Sequence, residues 1–592
     1  MASENPKTSS KNSSSKASQD AEKLSADSFC RAFFNGHLLE DRLIPYPADQ
    51  KEAWQDVADA IERFGKERVD ARKIDEAAHI PTELIDEMKQ MGLFGIIIPE
   101  SHGGFGLNAT GYAKVMERLV RMDSALAITV GAHQSIGMKG LLLFGTEAQK
   151  NKYLPKLATG EMIASFALTE PTSGSDAQSI KTKATLTPDG KHYLLNGSKL
   201  WITNGGFATY FTVFAKVDVV QNGEKKEKVT AFIVERSMGI KNSAEEHKLG
   251  IKGSSTVALV LEDVKVPVEN VLGEVGKGFK VAMSILNSGR QGLAAGCVGV
   301  SKWMMEEAVK YASERKQFEL RLIDFKMIKA YIAQMEVSTY VLESMVYLTT
   351  SWIDKGVHDY SIESAICKIF GSEVCWENVN RALQIAGGNG YMKDYPYERA
   401  LRDSRINLIF EGTNEVLRLF VALNGMQAVA TELKETQESV VKVFAEPAKG
   451  FGAFYGYATR RIRQKFSPEM AQKIHPVLDR QVKNLGLSIA GLSEAAEALV
   501  KKYKKDIVHE QHDLRRIADI TIDVYAMAAV LARVTSHIEQ NGEKESIHER
   551  NIAAIFCSQA RRRVRDNLRS LEVNKDKAVD AVCDKVVKRI TG

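Results

Sequence analysis

A block of short β-branched and aromatic segments interrupts a chain that otherwise spaces its apolar residues as helices do. The block runs from about Phe166 to Val275 and holds "KHYLLNGSKLWITNGG", "YFTVFAKV" and "VTAFIVE". The dipeptides "DG", "NG" and "GG" punctuate it, marking strands joined by turns. On either side, stretches such as "YAKVMERLVRMDSALAITVGAHQSIGMKGLLLFG" repeat apolar residues at helical spacing. This pattern predicts a mainly α, multidomain chain with a β domain inserted between helical ones. The expected segments are a disordered tail over 1–25, an N-terminal helical domain over 45–165, a middle β domain over 166–275, a helical region over 276–430 and a further helical region over 440–592. A chain of 592 residues is too long for one core, which agrees. In the last region Ile517, Ile520, Val524, Met527, Leu531 and Val534 step by alternating threes and fours, predicting one buried helical stripe.

Charge and cysteine usage narrow the function classes. The 80 basic and 75 acidic residues leave a net charge of +5, too balanced for a nucleic-acid binder. Six cysteines are scattered without a C-x-x-C pair, so free thiols are expected and a zinc site is not. No apolar run approaches the roughly 18 residues of a membrane span. The Ser/Lys-rich opening "MASENPKTSSKNSSSKASQDAEKLS" lacks the apolar core of a secretory signal and the arginines of a mitochondrial presequence. The closing "KRITG" is not a peroxisomal SKL signal. The expected compartment is the cytoplasm. In "GFGAFYGYATRRIRQKF", Gly450 to Phe466, aromatic residues precede Arg460, Arg461, Arg463 and Lys465. That pairing suits contact with an anionic membrane surface.

Four stretches carry chemistry. No G-x-G-x-x-G follows a strand and no P-loop is present, so any nucleotide is held in another way. "FALTEPTSGSD", Phe166 to Asp176, ends in a turn crowded with hydroxyls. "KLWITNGG", Lys199 to Gly206, sets a tryptophan beside Thr203. "ALQIAGGNGYMKDYPYERALRDSR", Ala382 to Arg405, contains a glycine cluster suited to close backbone approach. "RINLIFEGTNEVLR" places Glu411 after the apolar run Leu408-Ile409-Phe410 and before Gly412. A carboxylate so placed is costly unless paired or protonated. Singly, these stretches also read as a loop, a core tryptophan, a helix break and a helix cap.

Taken together and in this order, they resemble the acyl-CoA dehydrogenase family over nearly the whole chain after the tail. "GAHQSIGMKGLLLFG", "GEVGKGFKVAMSILNSGR", "KIFGSEVCWE" and the extra C-terminal helical region bring it closest to the very-long-chain members. The resemblance implies a middle β-barrel domain, a C-terminal four-helix bundle and an extra C-terminal helical domain. It implies FAD as cofactor, long-chain acyl-CoA as substrate, electron-transferring flavoprotein as electron acceptor, a homodimer, peripheral membrane contact, and a mitochondrial location if the source is eukaryotic. In the family the glutamate matching Glu411 is the base that takes the α-proton of the thioester. A hydride then passes from the β-carbon to the flavin. The preceding apolar run would raise the pKa of Glu411 toward working pH. The base's own N–H and a flavin ribityl hydroxyl would hold the thioester oxygen.

The matching cofactor positions are Phe166, Leu168, Thr169, Ser175, Trp201, Ile202 and Thr203. Ser175 also contacts CoA in the family. Arg315 and Phe318, in "ERKQF", match a segment that grips the FAD pyrophosphate of a neighbouring subunit, a task suited to the planar arginine fork. Gln384, Gly387, Gly388, Thr413, Asn414 and Glu415 match the partner side of that site. Asn287, Arg290, Phe410 and Gly412 match substrate-contacting positions. Gly137 and Gly140, three apart on a predicted helix, match the floor of a long acyl pocket. One departure stands out: the family continues "QFG", whereas this chain has Glu319 after Phe318. That exchange unsettles the expected path of the loop. A relative in the subgroup serves as a respiratory complex I assembly factor, and acyl-CoA oxidases share the fold; both are alternative functions.

Overall fold

The computed structural model describes residues 28–49, 51, 54–221, 223–445 and 471–592, the side chains of 432–445 excepted. The expected tail over 1–25 and the segment from Gly450 to Phe466 lie outside the described residues. The principal helices are α1 (Phe29–Phe34), α2 (Gln55–Arg68), α3 (Ala71–Ala77), α4 (Thr82–Gln90), α5 (Ala109–Met122), α6 (Ser124–Gly131), α7 (Lys139–Phe144), α8 (Glu147–Ala158), α9 (Gly278–Glu314), α10 (Lys326–Asp354), α11 (Ser361–Ala386), α12 (Tyr397–Ser404), α13 (Asn414–Ala445), α14 (Asp479–Tyr503), α15 (Gln511–Asn541), α16 (Ile547–Glu572) and α17 (Asp576–Thr591). The strands are β1 (Ala164–Ala167), β2 (Lys183–Leu186), β3 (His192–Thr203), β4 (Tyr210–Gln221), β5 (Glu224–Glu235), β6 (Lys241–Asn242), β7 (Thr256–Pro267), β8 (Val271–Leu272), β9 (Lys316–Gln317) and β10 (Leu320–Arg321).

The residues form two compact units. One contains Pro47–Ser351 and Cys367–Leu417; the other contains Met1–Tyr46, Trp352–Ile366 and Arg418–Gly592. In the first unit the main sheet runs β6-β7-β3-β2-β4-β5-β8, with β1 pairing parallel to β4. Among the described residues no ladder joins β6 to β8, so the sheet is open at its ends where a barrel was expected. Strand β4 explains why "YFTVFAKV" reads as one apolar run. Tyr210 and Phe214 pack with Leu141, Tyr153 and Ile285 from the helices. Phe211, Val213 and Ala215 pack with Leu195, Phe232 and Val257 from the sheet's other side. A strand buried on both faces loses the polar alternation of a surface strand.

Polar contacts sew the helices to the sheet where the site lies. The Asp123 side chain caps α6 by accepting from the N–H groups of Ala125 and Leu126 at 2.8 and 3.0 Å. A π-helical turn, Ala132–Gly137, continues α6. In it His133 Nδ1 accepts the Ala164 N–H at 2.9 Å, and Nε2 lies 3.1 Å from the Phe94 carbonyl. Burial pushes the His133 pKa down to about 4, so the ring is neutral and Nε2 carries the proton. Asn204 Nδ2 donates to the Thr129 carbonyl at 3.0 Å, and Thr212 Oγ1 to the Gly137 carbonyl at 2.8 Å.

In the second unit the expected stripe of α15 is buried, from Ile517 to Val534, and so are Thr521, Tyr525, Ala526 and Ala528 to Ala532. The helix is surrounded rather than buried along one side. The Phe29 ring packs against Trp352 and Tyr525, with centroids 4.9 and 6.0 Å away. Among the described residues no helix is long and apolar enough to cross a membrane.

One buried ion pair anchors the start of the sheet. Lys199 Nζ lies 2.8 Å from Glu170 Oε1 and also donates to the Leu168 carbonyl at 3.2 Å. Burial pushes Lys199 down to about 8 against the opposing pull of Glu170. Burial alone would raise Glu170, yet Lys199, the Thr182 hydroxyl and the Lys181 N–H hold it below the usual carboxylate range. Lys199→Met strands a buried carboxylate, so it should cost about 3–5 kcal/mol in chemical denaturation. Adding Glu170→Gln should recover part of that loss.

Candidate active site

Glu411 occupies a strained turn. After α12 the chain makes one tight helical turn, Arg405–Leu408, and reaches Glu411 at φ 60° and Gly412 at φ 94°. Glycine tolerates that region; a glutamate there costs about 1–2 kcal/mol. Two buried cations hold the turn by its carbonyls. Arg290 Nε donates to the Glu411 carbonyl at 3.1 Å, and its Nη1 to Asn287 Oδ1 at 3.0 Å. Lys368 Nζ donates to the Gly412 carbonyl at 2.7 Å and to Asn414 Oδ1 at 2.8 Å. Among the described residues nothing accepts the Glu411 N–H.

The carboxylate rests on α9. A Cβ on Gly289 would lie 2.9 Å from Glu411 Oε2 and 2.8 Å from Ile136 Cγ2. The residue as a whole is half-buried, but Oε2 is shut off from solvent and has no hydrogen-bond partner. Burial pushes the Glu411 pKa up to about 7, against the pull of Arg290 and then Lys368. The apolar run ahead of it contributes less than expected. Phe410 lines the cleft, whereas Ile409 is 45 % exposed. Gly289 of α9 lies beside the carboxylate oxygens, and Ile136 of the π-helical turn packs against the same glycine, both distant from Glu411 in sequence.

An apolar cleft of about 950 Å³, its open mouth included, runs from Glu411 between α5, α6 and α9. Its width comes from missing side chains. Gly131, Gly289, Gly292 and Gly296 all line it. A Cβ on Gly292 would meet the Tyr112 ring at 3.2 Å, one on Gly296 would meet Val120 at 3.2 Å, and one on Gly131 would meet Met116 at 3.3 Å. Gly137 and Gly140, expected at the pocket floor, are not in this lining. A Cβ on Gly137 would strike the Ala132 carbonyl and Ala164, each at 2.8 Å; one on Gly140 would strike Ile285 and Leu272. Both glycines serve close packing against the sheet and α9. Gly137 also ends the π-helical turn, so the two do not share one regular helical face.

Of the expected flavin-side residues, Thr203 lines this cleft. Phe166 is half-buried, its ring 5.1 Å from Phe214. Leu168 and Ile202 are buried. The Thr169 carbonyl accepts the Leu200 N–H at 2.9 Å. The β3–β7 ladder shifts register between Lys199 and Ile202. Within that bulge Trp201 adopts φ 57° and its side chain is thrown outward, 62 % exposed. Thr203 lines the same cleft as Glu411, and Ser175 is exposed on its turn.

A second group lies at the surface. Arg315 and Phe318 are exposed on the β9–β10 hairpin, and Gln384, Gly387 and Gly388 are exposed where α11 ends. A Cβ on Gly387 or Gly388 would meet no atom within 4 Å, which leaves a bare backbone cradle. Phe318 and Glu319 adopt φ 53° and 68°, so the glutamate sits in the left-handed region that favours glycine. Thr413 Oγ1 accepts the Val416 N–H at 3.3 Å, and Glu415 is exposed.

Two expected contacts turn inward. Asn414 is 2 % exposed, and its amide is spent on Lys368, Ser372 and Glu373, so it does not present that amide to a dinucleotide. Arg290 is 5 % exposed and spent on Glu411 and Asn287 rather than on an external ligand. Lys368, Tyr112 and the Gly289-Gly292-Gly296 series were not foreseen. The glycine spacing of three and four was visible in the sequence, and Lys368 stands out as a lone cation in the apolar "AICKIFG".

Family models for the acyl-CoA dehydrogenase N-terminal, middle and C-terminal domains match residues 51–161, 165–264 and 276–426. A model described as the ACAD9/ACADV C-terminal domain matches 476–592. The chain is 43% identical over 561 residues to the mitochondrial very long-chain specific acyl-CoA dehydrogenase of Macaca fascicularis, covering 93% of this chain and 85% of that protein. It is 37% identical over 562 residues to a probable acyl-CoA dehydrogenase of Bacillus subtilis (strain 168), covering 89% and 88%. Among solved structures, an acyl-CoA dehydrogenase from Bacillus anthracis complexed with FAD superposes with a TM-score of 0.79 at 34% identity, covering 93% of this chain and 94% of that one.

The raised carboxyl group of Glu411 makes a stability prediction. The folded state keeps its proton between the ordinary carboxylate range and about pH 7, where the unfolded chain has lost it. The contribution of this group is therefore fully present at low pH and lost as pH rises through 7. Glu411→Gln should match the wild type in thermal denaturation at pH 4 and melt at higher temperature than the wild type at pH 8.

Proposed function

We propose a function from one premise: the chain belongs to the acyl-CoA dehydrogenase family. It is an FAD-dependent oxidoreductase that dehydrogenates fatty acyl-CoA. Glu411 is the base that takes the α-proton, and the observation that carries this is its solvent-excluded Oε2, without a partner, on the wall of an apolar cleft. A carboxylate titrating near 7 is a well-matched base at neutral pH. The Glu411 N–H is left to receive the thioester oxygen as it gains charge.

Trp201, Thr203 and Phe166 would hold the FAD ring system, and Arg315 with the Gly387–Gly388 backbone would hold its pyrophosphate. The outward Trp201 bulge and the bare glycine cradle fit such a planar, anionic group. FAD, when bound, supplies the acceptor for the two electrons removed with the β-hydrogen. The chain's own residues bind and orient the substrate, exclude water from Oε2 and carry the proton. The middle sheet would serve flavin and substrate.

The preferred substrates are long or very long acyl-CoAs, accommodated where Gly292 and Gly296 leave room between α5 and α9. The exposed Arg315–Phe318 hairpin supports a homodimer in which each copy completes the other's dinucleotide site. Electron-transferring flavoprotein is the acceptor, and the relatives' naming supports a mitochondrial location in a eukaryotic source. Peripheral membrane contact rests on the composition of 450–466 and on the resemblance to the very-long-chain members.

Purified protein should be yellow and oxidise long-chain acyl-CoA with an artificial acceptor without releasing peroxide. Glu411→Gln should retain flavin while turnover falls by about three or more orders of magnitude; near wild-type turnover in that variant rejects the base, and stoichiometric peroxide favours an oxidase. Gly296→Leu should move the optimum toward shorter acyl chains by filling the cleft. Superimposable chain-length profiles would mean that the acyl chain lies elsewhere.

A further inference from the structure

Lys368 is a fully buried cation that the proposed chemistry leaves without a task. It sits on α11, a helix otherwise apolar at this level: Ala365, Ile366, Cys367 and Ile369 are buried around it. Its two hydrogen bonds go to neutral oxygens, the Gly412 carbonyl and Asn414 Oδ1. Among the described residues it stands in no ion pair within 4 Å, and a buried ammonium in that state is expensive. A neutral donor could satisfy two oxygens at lower cost. The surroundings are built to keep its aim. Asn414 is held by Ser372 Oγ at 3.0 Å and by Glu373 Oε1 at 3.1 Å, and Ser372 lies four residues beyond Lys368 on the same helix face.

We infer that Lys368 is a positioning residue for the deprotonation: by gripping the Gly412 carbonyl it holds the left-handed Glu411–Gly412 turn, and its charge favours the ionised carboxylate. The inference rests on reading Glu411 as the base. Arg290 grips the preceding carbonyl, so the two cations clamp consecutive peptide oxygens of one strained turn. With both carbonyls so engaged, Glu411 lines the cleft and, among the described residues, nothing accepts its N–H. The charged and titratable groups around Lys368 are Glu411, Cys297, Arg290 and Glu373. Those acting on Glu411 are Arg290 and Lys368, with the Tyr112 hydroxyl also near. Removing the Lys368 charge leaves Arg290 as the one cation opposing the burial of Glu411 among these groups.

The test compares Lys368→Met, Lys368→Gln and Lys368→Arg with Glu411→Gln in the flavin-loaded enzyme, reading flavin content, melting temperature, and kcat and KM for a long-chain acyl-CoA across pH. Lys368→Met should lower kcat at neutral pH by about tenfold or more, leave KM within about threefold, and move the rising limb of the pH profile up by about one unit. Lys368→Gln keeps a donor without charge, so it should recover kcat at high pH while the limb stays displaced. Lys368→Arg should restore the limb. If Lys368→Met has wild-type kcat and profile, the inference is overturned. If that variant does not fold, identical pH profiles for the Gln and Arg variants overturn it instead. An active Glu411→Gln defeats the underlying reading of the base, whereas an inactive Glu411→Gln beside an undisturbed Lys368 series defeats only the role of Lys368.

Discussion

The carboxylate of Glu411 lies so close to the backbone of α9 that a single methyl group on Gly289 would collide with it. The rest of the site depends on that approach. It removes water from Oε2 without giving it a donor, which is why burial dominates the acidity of the group. It is made from a left-handed Glu411. Strain of that kind persists only where surrounding contacts over-determine it. Here they are the two buried cations on the Glu411 and Gly412 carbonyls. The same charges keep the carboxylate from rising as far as burial alone would carry it. Position and acidity are thus both influenced by the same two cations.

The cleft follows from the same helix. Gly289, Gly292 and Gly296 form a stripe on α9 in which Gly289 lies against Glu411 and Ile136, Gly292 against Tyr112 and Gly296 against Val120 of α5, and Gly299 continues it where a Cβ would strike the Glu117 carbonyl. At its far end the stripe permits helix–helix contact; nearer Glu411 the same absence of side chains leaves empty space. A packing device and a binding surface are therefore one feature of the sequence, differing only in what lies opposite.

That double role explains what the sequence revealed and what it hid. Glu411, the β block and the α15 stripe were legible because each is a local pattern: a carboxylate beside a glycine, short β-branched runs, steps of three and four. Sheet closure was not legible, because strand pairing across a hundred residues leaves no local mark. Gly137 and Gly140 were assigned to the pocket from the resemblance, whereas here a Cβ on either would strike neighbouring atoms, Ala132 and Ala164 for the first and Ile285 and Leu272 for the second. Asn414 and Arg290 match ligand contacts by position, but Asn414 also meets Lys368 and Arg290 the Glu411 carbonyl, partners that only tertiary packing brings close. A polar residue's direction depends on which donors reach it first, and that is decided between helices distant in sequence.

The Phe318–Glu319 hairpin shows the limit of reasoning from residue preference. Two consecutive left-handed residues in a two-residue loop match the twist of the paired strands, which is why such turns favour asparagine and glycine. Here neither is present, and the geometry is kept. The ladder sets it: Leu320 pairs with Gln317, Arg321 with Lys316, and the Leu322 N–H reaches the Arg315 carbonyl at 2.8 Å. Arg321 then locks the exit through two bonds to Asp324, each 3.0 Å. Glu319 therefore sits in the left-handed region at a strain of about 1 kcal/mol relative to glycine. Arg315 thereby has a rigid backbone under a freely exposed guanidinium. That combination suits capture of a group from outside the chain and offers little to the fold of the chain itself.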